Sequence, residues 1–330
     1  MPFCLNTSLT NDDLHAPALF LKLQNEEFAR KFLYQKYLDA SLKEPGVLAY
    51  KNVQSFTAYI RQACSLFHTA RLCERGIQPL LLYYGMMDFF KAWILSKDPD
   101  YPKSTAVLRH GLSTRKRKKE QFRFYQDEIR IQKEGLFPYL SLLMKVPADA
   151  GDTYRVKELL GFIPELQPTY QQIFHECTWV PVDWIPSSSL FIVPEKILDQ
   201  YHLAPSSFVG KLNRYSGQIQ FTLDHQHQGS LYLNCSSAGP PHRLHPWIEM
   251  NKKGDYYLYA GNHRPYPLPR VICLMMLCFA MSMLCRYDPP LWEEVMLQSV
   301  HQEQLILIHL MDLIAHEFPH FMTSLWISSD

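Results

Sequence analysis

The first hundred residues have the hydrophobic spacing of amphipathic helices. An apolar stripe follows Asn25, a residue type preferred at helix N-caps. The stripe consists of Phe28, Phe32, Leu33 and Tyr37. A second helix is predicted over residues 53–74 and a third over residues 80–95. The third is apolar on nearly every face, which predicts a position at the centre of a helical bundle.

Further along the chain the hydrophobic period changes to two. Apolar and polar residues alternate over residues 219–223 and again over 231–235, which predicts two antiparallel strands joined by a loop at 224–229. Residues 247–250 and 256–259 predict a second hairpin. The middle of the chain is therefore expected to be rich in strands.

Helical patterning returns from Pro267, and a last helix is predicted over residues 303–317. Five prolines punctuate residues 146–189, which predicts a seam between subdomains. The expected fold class is α+β, predominantly α: a helical bundle with a β-rich insertion of antiparallel hairpins. The predicted parts are an N-terminal helical body (1–185), a β-rich subdomain (186–262) and C-terminal helices (263–330) that pack back on the body.

Composition and overall charge indicate a folded soluble protein without a global electrostatic field. Of 330 residues, 47% are apolar and 20% charged, and 33 basic side chains against 32 acidic ones give a net charge of +1. The eight cysteines include no Cys-x-x-Cys pair, and the N-terminus lacks the features of a signal peptide. A cytoplasmic location is expected.

Residues 271–285 form the most hydrophobic segment, which contains no charged side chain. A helix of this length extends about 22 Å, less than the ~30 Å of a bilayer's hydrocarbon core. The segment is therefore predicted to be a buried core helix, and no membrane association is expected.

Positive charge is concentrated locally. Residues 103–133 contain ten basic and three acidic side chains, a local charge of +7. Those expected to bind phosphate are Arg109, Arg115, Lys116, Arg117, Lys118 and Lys119. Phe122, Phe124 and Tyr125 follow and are expected to offer faces for base stacking. A solvated loop without a ligand is the alternative interpretation of this basic segment.

The motifs of several enzyme classes are missing. No two glycines have the spacing of a G-x-G-x-x-G turn or of a phosphate-binding P-loop, and no G-x-S-x-G elbow occurs. Residues 316–320 match H-E-x-x-H by letters, but Pro319 lies between the two histidines and is expected to interrupt the helix. No metal site and no cofactor are predicted.

Two further pairs have helical spacing. Arg61 and His68 are seven residues apart and so share a helix face, where arginine can bind phosphate and histidine can exchange protons. Asp88 and Lys91 are three apart in an apolar helix, which predicts a structural ion pair.

Four segments resemble the YaaC-like family of Gram-positive bacteria, and together they extend over most of the chain. They are IQPLLLYYGMMDFFKAWIL (77–95), KSTAVLRHGLSTRKRKK (103–119), EIRIQKEGLF (128–137) and SMLCRYDPPLW (282–292). The resemblance implies a cytoplasmic bacterial protein and implies no particular activity.

The YYGMMDFFKAWIL helix followed by the basic segment is also similar, more distantly, to HEPN-type helical domains. In these domains an Arg-x4–6-His pair cleaves RNA, and Arg61 and His68 match this spacing at its upper limit. The resemblance implies a HEPN-like bundle in which Arg61, His68 and the nearby His110 are candidate catalytic residues. In HEPN domains, however, the pair follows the Tyr-Tyr helix, whereas here it precedes that helix.

Three hypotheses follow. The first is a module that binds a phosphate-rich ligand, RNA or a nucleotide, through residues 109–119. The second is a metal-independent ribonuclease that uses Arg61 and His68 and acts as a homodimer. The third is a protein–protein interaction module whose basic segment binds an acidic partner.

The ribonuclease hypothesis predicts cleavage of single-stranded RNA that persists in EDTA. The change His68→Ala should eliminate this cleavage, because it removes the group that exchanges protons. Incubation of labelled RNA with both proteins, followed by gel analysis, measures it. Intact RNA after incubation with the wild-type protein would end this hypothesis.

Overall fold

A computed structural model describes residues 17–114, 122–215, 219–236, 245–251, 253–261, 267–297 and 303–327. The chain forms two compact units. The first comprises the residues up to Arg155 and those from Leu274 onward, and the second is Val156–Cys273. The β-rich segment predicted at 186–262 lies within the second unit. The fold is α+β and predominantly α, as predicted.

Helices make up most of the first unit. Those before residue 150 are α1 (Ala18–Leu23), α2 (Glu26–Asp39), α3 (Pro45–Leu72), α4 (Gln78–Lys97) and α5 (Leu136–Leu143). Asn25 caps α2 as predicted, since its Oδ1 accepts a hydrogen bond from Phe28 N at 3.0 Å. Helix α3 begins at Pro45 and not near residue 53, because proline suits the first turn, where its missing N–H leaves no bond unmade.

Helix α4 lies at the centre of this unit and is buried on almost every side, as its apolar pattern predicts. Phe89 lies 4.6 Å from Phe20 and 5.4 Å from Phe67 between ring centroids. Gly85 allows α3 to approach closely, because a Cβ there would lie 2.7 Å from the ring of Phe67.

A small antiparallel sheet completes the first unit. Its strands are β1 (Leu112–Thr114), β2 (Glu128–Ile131) and β3 (Thr153–Arg155), in the order β1-β2-β3. Leu112 pairs with Ile131, and Ile129 pairs with Tyr154. The two isoleucines of β2, Ile129 and Ile131, are buried, and Arg130 between them is exposed.

The second unit contains a six-stranded antiparallel sheet in the order β6-β7-β5-β4-β9-β8. Its strands are β4 (Trp179–Ile185), β5 (Leu190–Pro194), β6 (Phe221–His227), β7 (Ser230–Cys235), β8 (Ile248–Met250) and β9 (Tyr256–Tyr259). Its short helices are α6 (Val156–Gly161), α7 (Gln167–Phe174), α8 (Lys196–Tyr201) and α9 (Pro205–Tyr215).

Both predicted hairpins are present, but the first turn is shorter than expected. Strand β6 continues to His227, so the turn consists of Gln228 and Gly229 and not of residues 224–229. Both turn residues have positive φ, 47° and 72°, which is the conformation that two-residue hairpin turns favour.

The remaining helices are α10 (Arg270–Tyr287), α11 (Pro289–Leu297) and α12 (Glu303–Ile327). The predicted end of α12 at residue 317 is wrong, because the helix continues through Pro319. Packing on both sides of the proline stabilises this continuation: Phe318 stacks on Phe67 with ring centroids 5.8 Å apart, and Trp326 Nε1 donates to Ser96 Oγ at 3.1 Å.

Helices α10 and α12 are long and apolar enough to cross a membrane by length and composition alone. In the most hydrophobic window of each, 67% and 56% of the residues are buried inside the protein. More than half of each window is thus buried by the protein's own packing.

Stability should depend on pH through His245, which is 2% exposed. Its Nδ1 accepts from Trp247 N at 3.1 Å, so its Nε2 donates to Leu212 O at 3.0 Å, and the neutral ring is fully bonded. Burial lowers the pKa of His245, although the bond to Leu212 acts in the opposite direction.

Because the unfolded chain then binds the proton more readily than the folded one, we expect stability to fall as pH decreases below about 6.5. In the variant His245→Gln this pH dependence should be weaker than in the wild type. Urea unfolding at pH 5 to 8 measures the difference. Equal slopes for wild type and His245→Gln would contradict the assignment.

Candidate phosphate-binding cleft

The first unit contains a cleft of about 750 Å3 beside the three-stranded sheet. It is lined by residues 109–112, 130–134, Ala150 and Gly151. These residues precede β1, end β2 and precede β3. A volume of this order is typical of small-molecule binding sites.

Contact between the backbones at Gly111 and Gly135 builds one side of the cleft. A Cβ at Gly135 would lie 2.3 Å from the Gly111 Cα, and the two glycines have φ of +137° and +76°. Hydrogen bonds hold the segments together, since Leu136 N donates to Arg109 O at 2.7 Å. Side chains at either position would separate the two segments.

The polar lining of the cleft is predominantly basic. Arg109, Arg130 and Lys133 contribute three positive charges, and Glu134 contributes one negative charge. Arg109 Nη1 lies 4.0 Å from Glu134 Oε2, and both side chains are largely exposed, so their attraction is weak. Arg130 and Lys133 form no ion pair with another described residue. The cleft therefore presents a net positive surface to an anion.

His110 also lines this cleft and is held against helix α4. Its Nδ1 lies 2.9 Å from the Tyr83 hydroxyl oxygen, and its ring centroid lies 5.4 Å from that of Tyr83 and 5.6 Å from that of Phe279. Burial lowers the pKa of His110, and the positive charges of Arg286 and Lys91 lower it further. His110 is therefore neutral at pH 7.

Asp88 and Lys91 form the ion pair that their spacing predicts. Lys91 Nζ donates to Asp88 Oδ1 at 2.9 Å, and the two side chains are 19% and 6% exposed, respectively. Burial raises the pKa of Asp88, and the hydrogen bond from Lys91 opposes this effect. Lys91 also lies 5.4 Å from the ring centroid of Tyr59, so its ammonium group is held within the protein.

Arg61 and His68 are both exposed on α3, and neither lines the cleft. Arg61 Nε and Nη2 donate to the Gln24 carbonyl oxygen at 3.1 and 2.6 Å. Because Gln24 is the C-cap of α1, Arg61 satisfies a carbonyl at the end of that helix. The arginine of the predicted catalytic pair thus has a structural contact.

The structure describes only part of the predicted basic segment. Arg109 lines the cleft, whereas Arg115, Lys116, Arg117, Lys118 and Lys119 lie outside the described residues. Of the three aromatic residues expected to stack on bases, Phe124 is 1% exposed and is therefore unavailable. Phe122 and Tyr125 are partly exposed.

Sequence reasoning missed Arg130 and Lys133 as cleft residues. The alternation of Ile129, Arg130 and Ile131 does indicate that Arg130 points away from the core. The sequence does not show, however, that β2 pairs with β1 and so brings Arg130 to the same cleft as Arg109. No cluster of three or more His, Cys, Asp or Glu side chains suited to a metal ion occurs in the described part of the chain.

Fold and site together define the class of protein: a predominantly helical α+β protein with antiparallel sheets and a basic cleft in its first unit. The family model described as YaaC-like Protein matches residues 21–326. The chain therefore belongs to the YaaC-like family. No curated protein and no solved structure matches it.

The glycine contact generates a prediction for stability. Gly135→Ala and Gly151→Ala each place a side chain at positive φ, at a cost of ~1–3 kcal/mol. Gly135→Ala should lose a further ~1–3 kcal/mol, because its Cβ overlaps the backbone of Gly111, whereas a Cβ at Gly151 meets nothing within 4 Å. Denaturant unfolding of both variants measures the difference. Equal losses would show that the backbone contact is not required.

Proposed function

We propose that the protein binds a phosphate-bearing ligand, RNA or a nucleotide, at the basic cleft. The observation that carries the proposal is the cleft itself, where Arg109, Arg130 and Lys133 line one concave surface. Guanidinium and ammonium groups are the side chains that most often bind phosphate in proteins.

The distribution of charge along the chain supports the same proposal. Residues 103–133 carry +7 and the whole chain carries +1, so the remaining residues carry −6. Attraction of an anion is therefore local to this region. The basic residues 115–119 follow directly on β1, whose first residue, Leu112, lines the cleft. Single-stranded RNA carries a negative charge at every phosphate, so the basic side chains of residues 115–119 are expected to add to its affinity.

The resemblance to HEPN-type domains gives this proposal a context. We place the protein in the cytoplasm of a Gram-positive bacterium, with a HEPN-like helical body that binds RNA and does not require catalysis. The ribonuclease alternative requires Arg61 to contact phosphate, and this guanidinium already binds the Gln24 carbonyl. Binding is therefore the better-supported function.

The proposal predicts a specific loss of RNA binding when the cleft cations are removed. The double change Arg130→Ala with Lys133→Ala should weaken binding of a single-stranded oligoribonucleotide. It should also reduce the slope of log affinity against log salt by about 1.4, since two phosphate contacts are lost. Replacement of Lys116 to Lys119 by Ala should have the same kind of effect. Fluorescence anisotropy at several salt concentrations measures both quantities.

The matched control is Arg30→Ala with Lys31→Ala, which removes the same two residue types from the exposed face of α2. Its salt dependence should equal that of the wild type. If the cleft variant and this control bind RNA equally well, the cleft is not the binding site. Absence of binding by the wild-type protein to both RNA and mononucleotides would overturn the proposed function.

A further inference from the structure

We propose that His110 donates a hydrogen bond from Nε2 to a phosphate oxygen in the cleft, and that Tyr83 fixes the imidazole tautomer that makes this possible. The inference rests on the proposed function, because it assigns a role to one residue of the same cleft. It concerns any tetrahedral oxyanion, whether free or part of a nucleotide.

The Tyr83 hydroxyl keeps its proton and needs an acceptor. Tyr83 is 2% exposed, and burial raises its pKa well above the usual value, so the phenol stays protonated. An unsatisfied buried donor costs ~1–3 kcal/mol. The acceptor that the described residues offer to this O–H is Nδ1 of His110, at 2.9 Å. The hydroxyl therefore donates, and Nδ1 accepts.

The protonation states of Nδ1 and Nε2 are linked in a neutral imidazole. Only one of its two ring nitrogens carries a proton, so an accepting Nδ1 requires the proton to be on Nε2. His110 makes no hydrogen bond through Nε2 to a described residue. The ring contacts Phe279 as well as Tyr83, and Phe137 N donates to the His110 carbonyl oxygen at 3.1 Å. The donor is thus held in one orientation before a ligand arrives.

Positive charges lie near the ring of His110. Helix α4 contributes Lys91, whose ammonium is bound to Asp88, and α10 contributes Arg286, which donates to Tyr84 Oη at 2.8 Å. The adjacent residue on the chain is Arg109. Burial, together with the positive charges of Arg286 and Lys91, lowers the pKa of His110 and keeps the ring neutral, so it can donate a hydrogen bond at pH 7 without carrying a charge of its own. An oxyanion would find both the N–H group and the surrounding positive potential.

Nitrogen NMR of the full chain labelled with 15N-histidine tests the tautomer directly. The wild-type protein at pH 7.5 should show the His110 signal of an imidazole protonated at Nε2, assigned by its loss in His110→Gln. In Tyr83→Phe, which removes the hydroxyl but keeps the ring, this signal should shift towards a mixture of tautomers. A wild-type His110 protonated at Nδ1 would overturn the inference.

Titration with sulfate, which keeps its charge across the working pH range, tests the donor. A glutamine amide can place an N–H near the position of Nε2, so His110→Gln should bind sulfate within about threefold of the wild type. His110→Ala should bind at least about tenfold more weakly, as expected for a hydrogen bond to a charged group. Lys133→Ala should also weaken binding, but without change in the His110 tautomer.

The outcomes separate this inference from the proposed function. If the wild-type protein binds neither sulfate nor RNA nor a mononucleotide, the proposed function fails, and His110 as an oxyanion donor fails with it. A third outcome is that Lys133→Ala weakens sulfate binding and His110→Ala does not. The cleft is then still the binding site, but the role assigned to His110 is wrong. If His110→Ala does not fold, the NMR measurement on the wild-type protein still decides the tautomer.

Discussion

The contact between the backbones at Gly111 and Gly135 is the constraint on which the cleft depends. It brings the segment before β1 against the start of α5, at a distance that no side chain permits. The backbone hydrogen bond from Leu136 to Arg109 then holds the two segments in register. Because this bond involves main-chain atoms only, the side chain of Arg109 remains available to line the cleft.

Helix α4 connects this cleft with the hydrophobic core. Its apolar faces pack within the first unit, and several of its polar side chains form hydrogen bonds there. The charges of Asp88 and Lys91 neutralise each other, and the Tyr83 hydroxyl forms a hydrogen bond with His110. The burial that stabilises the helix is also what keeps His110 neutral. Burial of α4 and its neighbours therefore contributes both to core packing and to the neutral state of His110 in the cleft.

Local patterns in the sequence predict much of this fold but not the cleft. The N-cap at Asn25 and both hairpins depend on neighbouring residues, and all were predictable. The continuation of α12 through Pro319 depends on distant partners such as Phe67, which the local rule for proline cannot include. Likewise, the convergence of Arg109 with Arg130 depends on strand pairing across a segment of some twenty residues, which periodicity does not specify.

The partners of each basic residue decide its function more than the local count of charges does. Arg61 binds a carbonyl at a helix end, Lys91 binds a buried carboxylate, and Lys103 binds Asp98 at 2.8 Å. These cations are already committed to the fold, so an anion would have to compete for them. Arg130 and Lys133 have no such commitment to another described residue, and both line a concave surface beside a neutral histidine. An anion that enters the cleft therefore gains their attraction without breaking an existing ion pair, which is the condition for charge to contribute to binding.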